Sequence, residues 1–133
     1  MLDEKYDINE LGKFILDYKD GLYSGIVKSK IIGPINLMFP SEGKDISRYQ
    51  IDIYQNIEKD WEKIKFEVTQ NLEKGIQFEK GRIDAVLIPH ENSHNYNYDV
   101  ELVYLLKKNF FSRRHVCFSA LLKKWELDEI IYL

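Results

Sequence analysis

The sequence predicts an α+β fold, a mainly antiparallel sheet covered by one long central helix at about residues 47–74. Two observations carry this prediction. Between Ile51 and Leu72, apolar residues recur at spacings of three and four, which is the period of a helix that covers a core. On both sides of this stretch, apolar and polar residues alternate, which is the period of a strand. The predicted helix therefore organises the rest of the chain.

Both ends of the predicted helix carry boundary signals. Ser47 is followed three residues later by Gln50, the spacing of a capping box. Near the other end, Lys74 places a cation at the carbonyl terminus, and Gly75 can adopt the left-handed conformation that closes a helix. At about 1.5 Å per residue the helix is roughly 40 Å long. Its apolar stripe consists of Ile51, Tyr54, Ile57, Trp61, Ile64, Val68 and Leu72.

The residues before the helix predict strands, although the first of them fit two patterns. Ile8, Leu11 and Ile15 have helical spacing, whereas Phe14 and Leu16 alternate like a strand, so we expect a short helical or loose start followed by a strand. The Asp20-Gly21 pair predicts a hairpin turn. The following stretch, 31–39, predicts a strand at an edge or a bend, because it contains Gly33-Pro34 and proline donates no ladder hydrogen bond.

The residues after Gly75 predict a meander of strands joined by polar connections. Apolar and polar residues alternate again in four segments, and a polar loop at 90–97 follows Pro89. We expect these strands to complete the sheet beneath the helix. The predicted strands are Ile83–Ile88, Val100–Leu106, Val116–Ala120 and Trp125–Leu133.

Length and composition favour one domain, residues 1–133, in the cytoplasm. The single Cys117 cannot form an internal disulfide, and neither an export signal nor an apolar run of membrane-spanning length is present. The net charge of −3 provides no basic field for nucleic acid. We therefore expect no nucleic-acid and no membrane partner. Aromatic residues make up 14% of the chain, which suits a packed core or a protein-binding surface.

His90-Glu91-Asn92-Ser93-His94 matches the H-E-x-x-H pattern of zinc peptidases. On a helix, His90 and His94 would share one face and bind Zn²⁺, with Glu91 as general base. The context argues against this interpretation, because Pro89 precedes the motif and its asparagine and serine residues are poor helix formers. We therefore assign no catalytic residue, favour no metal and expect no cofactor. A small zinc-dependent hydrolase stays an alternative.

The order of elements around Gly25-Ile26-Val27, Ile32-Gly33-Pro34-Ile35, Phe39 and the stretch Tyr49–Leu72 resembles small bacterial domains of the polymorphic-toxin immunity type. The resemblance spans most of the chain and contains no diagnostic motif. It implies a non-enzymatic, cytoplasmic protein that binds and neutralises a cognate toxin. No functional residue is transferred by it, because such proteins share no catalytic signature.

Two sets of residues are candidates for protein binding. Phe66 lies about 140° around the helix from Trp61, away from the apolar stripe. Either another segment crosses that side of the helix, or Phe66 contacts a second chain. The second set is an acidic and aromatic patch, Tyr96, Tyr98, Asp99 and Glu101. A further alternative is a structural domain that self-associates through Phe66 or a bare sheet edge. The oligomeric state itself is not predicted.

Overall fold

A computed structural model describes residues 4–72, 82–107 and 115–132. These ranges form one eight-stranded mixed sheet and two short helices. The strands are β1 (Tyr6–Asn9), β2 (Gly12–Asp17), β3 (Leu22–Ser29), β4 (Gly33–Pro40), β5 (Arg82–Leu87), β6 (Val100–Lys107), β7 (His115–Lys123) and β8 (Glu126–Tyr132). The helices, α1 (Arg48–Lys59) and α2 (Trp61–Gln70), lie in the chain between β4 and β5.

The strands lie side by side in the same order as in the chain, from β1 to β8. Neighbouring strands pair antiparallel, with the exception of β4 and β5, which pair parallel. The cause is the helical connection, because it returns the chain to the end of the sheet where β4 began. The parallel ladder is short and joins Asn36–Met38 to Ala85–Leu87.

The prediction of a sheet covered by one long helix at 47–74 is wrong. The helical segment breaks at Asp60, whose backbone (φ −100°, ψ 17°) lies in the bridge region rather than the α region. Backbone hydrogen bonds continue on both sides, from Asp60 N–H to Asn56 O (2.9 Å) and from Ile64 N–H to Asp60 O (3.0 Å). The apolar spacing therefore passes through the break unchanged, and a periodicity argument does not detect it. Aspartate is also a weak helix former, which makes this position the natural place for the change of direction.

The two helices are anchored at opposite edges of the sheet. Arg48 and Gln55 of α1 both donate to Glu10 in the β1–β2 turn. On α2, Glu67 accepts a hydrogen bond of 3.0 Å from Leu127 N–H in β8. A straight helix would have to cross a twisted sheet of eight strands along one line. The break at Asp60 lets each half follow its own side of the sheet.

The predicted beginning of the helix is confirmed, and its predicted end is not. Ser47 accepts a hydrogen bond from Gln50 N–H, and the Gln50 side chain accepts one from Ser47 N–H, which completes the capping box. The amide of Gln50 is fully buried and also donates to Ile88 O at 2.9 Å, so it connects the start of α1 to the end of β5. At the other end α2 stops at Gln70. Lys74 and Gly75 lie outside the described residues.

Two predictions about the first strands are also resolved. The first described element is a β1–β2 hairpin instead of a helical turn, and the predicted hairpin at Asp20-Gly21 joins β2 to β3. β4 is an interior strand, not an edge strand. Its Pro34 is tolerated there because the β5 ladder begins only at Asn36, so no hydrogen bond to β5 is lost.

The core lies between the helices and one face of the sheet. The helical stripe is buried as predicted, from Ile51 to Val68. Opposite it, each strand from β2 to β7 contributes alternate residues, including Phe14, Tyr23, Leu37, Val86, Leu102 and Phe118. Within the described ranges, neither helix is long and apolar enough to cross a membrane.

Candidate functional site

A groove of about 700 Å³ opens between α2 and one end of the sheet. Its walls come from α2, the β3–β4 turn, the start of β5 and the end of β6. Trp61 and Tyr104 form part of its buried wall, at 6% and 1% exposure. Ile31 and Phe66 line it from the exposed side, at 54% and 64% exposure. The groove therefore joins the packed core to two large apolar side chains that face solvent.

Phe66 is exposed because of its position around α2. Trp61, Ile64 and Val68 point towards the sheet and are buried, and Phe66 lies about 140° from Trp61, on the other side of the helix. An exposure of 64% means that no described segment covers the phenylalanine ring. Whether Phe66 binds another chain stays a prediction.

The charged residues of the groove are held loosely. Lys65 Nζ lies 3.6 Å from Glu62 Oε2, and Arg82 lies 3.7 Å from Asp84 Oδ1, both near the outer limit of an ion pair. All four side chains are between 41% and 84% exposed. Exposed pairs of this kind contribute little to stability. The two cations can therefore exchange their present partners for a carboxylate of a bound molecule at small cost.

The predicted acidic and aromatic patch has a different character, because its polar groups bond to one another. Tyr98 Oη donates to Glu101 Oε1 at 2.8 Å, and Ser119 Oγ donates to Glu101 Oε2 at 2.7 Å. Ser119 is 3% exposed. Burial raises the pKa of the Tyr98 phenol, and the hydrogen bond to Glu101 raises it further. Glu101 thus joins the loop before β6 to the neighbouring strand β7.

Asp99 and Tyr96, the other two residues of this patch, also make their contacts within the protein. Asp99 accepts a hydrogen bond of 2.6 Å from Lys124 N–H, and its own N–H donates to Leu122 O. It therefore holds the β7–β8 turn, where Lys124 has a positive φ of 52°. The ring of Tyr96 contacts that of Tyr98 edge to face, with centroids 5.7 Å apart. The structure brings all four predicted residues together as a support for the loop.

The H-E-x-x-H motif lies in this loop and is not helical. Asn92 has a positive φ of 58°, and Ser93 N–H bonds to His90 O, so the chain makes a turn between the two histidines. His90 is 8% exposed, whereas His94 is exposed. They do not occupy adjacent turns of one helix face. No group of three or more His, Cys, Asp or Glu residues that could hold a metal ion occurs in the described part of the chain. The zinc alternative therefore has no geometric support, although it stays untested.

His90 is surrounded in a way that favours its neutral form. Burial lowers the pKa of its imidazole, and the nearby Glu42 carboxylate opposes this in part. Its Nε2 atom is buried and finds no hydrogen-bond partner among the described residues. Glu42 also accepts hydrogen bonds from Ser93 Oγ (2.5 Å) and Asn95 Nδ2 (2.8 Å), which fix the loop to the β4–α1 connection.

Sequence reasoning identified Phe66 but missed the groove beside it. Ile31 and Arg82 come from segments distant in the chain, and nothing in their local pattern shows that they meet at α2. The local signal was an apolar pair, Ile31-Ile32, which lies in the β3–β4 turn. No protein-family model, no curated protein and no solved structure matches this chain. Its function has to be argued from the groove itself.

Proposed function

We propose that this chain is a non-enzymatic protein-binding module of the immunity type, which acts in the cytoplasm by binding and neutralising a cognate bacterial toxin. The observation that supports this most is the exposed Phe66, which lines a groove of mixed apolar and charged residues. Aromatic and arginine side chains dominate the binding energy of protein interfaces. Here Phe66 and Arg82 both line the groove.

The groove favours a partner of particular chemistry. Trp61, Ile31 and Phe66 offer apolar surface to one large side chain of a bound protein. Lys65 and Arg82 lie beside it, and among the described residues both have only distant ion-pair contacts. A partner segment with an apolar side chain next to a carboxylate fits this arrangement, because the carboxylate can approach either cation.

The acidic and aromatic patch supports the proposal less well. Tyr98, Asp99 and Glu101 already use their polar groups inside the protein. A partner that bonded to them would first have to break these hydrogen bonds. Phe66 offers its surface without such a loss, and therefore we assign toxin binding to the groove.

The proposal is tested by binding and rescue experiments with a panel of bacterial toxin domains, including any that are encoded beside the gene for this chain. We expect one of them to bind the purified chain in calorimetry and to lose its toxicity when the chain is co-expressed. Phe66→Ala should weaken binding by roughly 30-fold, which corresponds to about 2 kcal/mol.

The matched control is Tyr18→Ala. Tyr18 is also an exposed aromatic residue (50%), but it lies in the β2–β3 turn at the opposite end of the sheet from the groove. It should leave affinity and rescue unchanged. The proposal fails if no toxin domain of the panel binds, or if Phe66→Ala binds as tightly as the unsubstituted chain.

A further inference from the structure

A second, smaller pocket lies between the start of α1 and the loop that joins β5 to β6. Three tyrosines line it, Tyr49 from α1 and Tyr96 and Tyr98 from the loop, and we call it the tyrosine pocket. Its volume is about 260 Å³, below the range of about 300–1,000 Å³ that is typical of pockets for drug-sized ligands. The size and the aromatic lining favour a small ligand that contacts ring surfaces.

The three rings of the tyrosine pocket are held in place and are still partly accessible. All three tyrosines are half-buried. The rings of Tyr96 and Tyr98 are nearly perpendicular, with an interplanar angle of 72° and centroids 5.7 Å apart. Tyr98 is fixed by its hydrogen bond to Glu101, and Tyr49 lies in the first turn of α1. The pocket is therefore formed before a ligand arrives, which reduces the entropy lost on binding.

The charges that act on these tyrosines are negative. Burial raises the pKa of the Tyr49 phenol, and the carboxylates of Asp99 and Glu91 raise it further. Burial likewise raises the pKa of the Tyr96 phenol, and Glu101 is one of two carboxylates that add to this effect. An environment that disfavours a phenolate favours a bound cation for the same electrostatic reason.

We propose that the tyrosine pocket binds a small organic cation, with a methylated ammonium group packed against the rings of Tyr49, Tyr96 and Tyr98. The face of an aromatic ring carries partial negative charge, and a cluster of such rings is the arrangement by which proteins recognise quaternary ammonium groups. A methylated ammonium suits the pocket better than an inorganic ion does, because its methyl groups gain free energy when they leave water for contact with the rings.

A cation of this kind leaves the hydrogen bonds of the loop intact. It contacts the rings, while Tyr98 Oη stays bonded to Glu101 and Asp99 Oδ2 stays bonded to Lys124 N–H. A protein that bound the acidic and aromatic patch through its polar groups would have to replace these bonds. The hydrogen bond to Glu101 also makes the Tyr98 ring richer in electrons, which strengthens its attraction for a cation.

The first experiment titrates the purified chain with choline and with the neutral tert-butyl analogue of choline, at constant ionic strength, and measures binding by nuclear magnetic resonance. Choline should bind at least about tenfold more tightly, because the two molecules share a shape and differ in charge. Equal affinities, or no saturable binding of choline in the millimolar range, overturn the proposal. Binding to phosphatidylcholine vesicles without binding of free choline overturns the assignment to a small molecule.

Two variants at one position test whether the rings carry the binding. Tyr96→Leu should raise the dissociation constant for choline about tenfold. Tyr96→Phe is the matched control and should leave it within about twofold, because the ring remains and the Tyr96 hydroxyl forms no hydrogen bond to a described residue. An unchanged affinity in Tyr96→Leu, or an equal loss in both variants, overturns the proposal.

A third variant, Lys123→Gln, separates a cation site from an anion site. Lys123 lines the pocket and is exposed, so its replacement leaves the core unchanged. Removal of its positive charge should lower the dissociation constant for choline about threefold. Weaker binding in this variant overturns the proposal. The inference is independent of the proposed function, because Phe66→Ala weakens toxin binding in that proposal and should leave choline binding unchanged.

Discussion

The groove at Phe66 and the patch around Glu101 have similar compositions but opposite roles in the structure. Each combines aromatic rings with charged side chains, and each contains residues that the sequence alone makes candidates for protein binding. At the patch, Tyr98, Ser119 and Lys124 use their hydrogen bonds to fix a loop to the sheet. At the groove, Phe66 is 64% exposed and the nearby cations are loosely paired. Amino-acid composition therefore identifies a candidate surface. Whether that surface can bind a partner depends on whether its polar groups already form hydrogen bonds within the protein.

The largest expected effect is a difference in stability between substitutions of two aromatic residues of α2, Trp61 and Phe66. Trp61→Ala should reduce the free energy of unfolding by about 3–5 kcal/mol, because it leaves a large cavity in the core. Phe66→Ala should change it by less than about 0.5 kcal/mol, since the ring is mostly exposed. Urea denaturation of the two variants measures both values. A large loss in Phe66→Ala would show that the ring packs inside the protein and is not available for binding.

The next effect concerns the patch. Glu101→Ala should cost about 2–3 kcal/mol of unfolding free energy, because the hydroxyl groups of Tyr98 and Ser119 then lose their shared acceptor in a largely buried place. Glu91→Ala, at an exposed position in the preceding loop, is the matched control and should be nearly neutral. Equal stabilities of the two variants would mean that Glu101 is free for a partner, and the contrast between groove and patch would disappear.

A smaller effect is expected from pH, through His90. The folded protein lowers the pKa of this imidazole, so below the unfolded value of about 6.5 the unfolded chain takes up a proton that the folded chain resists. The unfolding free energy should therefore fall as the pH drops below about 6.5, and this contribution should level off below the folded pKa. Thermal unfolding of the unsubstituted chain and of His90→Gln across this range isolates the contribution. Parallel curves for the two proteins would contradict it, and His94→Gln is the exposed control in the same loop.

The smallest expected effect is on metal content. The loop geometry gives His90 and His94 no shared helical face, so His94→Ala should leave the zinc content of protein purified without a histidine tag unchanged. Elemental analysis of both samples tests this. Zinc near one equivalent per chain that disappears in His94→Ala would contradict it and restore the hydrolase alternative, with Glu91→Ala as the next variant.

Local patterns were sufficient to predict the start of the helix and the approximate positions of several strands. The Ser47 and Gln50 pair forms a capping box within four residues, so it can be recognised from the sequence. The alternation of apolar and polar residues likewise shows which side of a strand is apolar. The change of direction at Asp60 was not predictable in this way, because a break that preserves hydrogen bonds on both sides preserves the apolar spacing as well. The parallel pairing of β4 with β5 was missed for a related reason, since it depends on where the helical connection ends.

The candidate site was predictable only in part. Phe66 could be identified because it departs from the apolar stripe, which is a property of a single helix. The groove depends on Ile31 and Arg82, which meet α2 through the tertiary structure. In the patch, hydrogen bonds between loop and strand decide that Glu101 supports the structure, and no spacing rule indicates that Ser119 is its second partner.

The single parallel ladder between β4 and β5 also has a consequence for folding. Every other strand pair joins neighbours along the chain, so β1–β4 and β5–β8 can each acquire their register from short loop closures. Only the ladder at Asn36–Met38 requires contact across the whole helical connection. We therefore expect two halves that form early and a late step in which the helices dock and the central ladder closes. This ladder of three residue pairs would then determine the folding rate of a sheet whose other contacts are local.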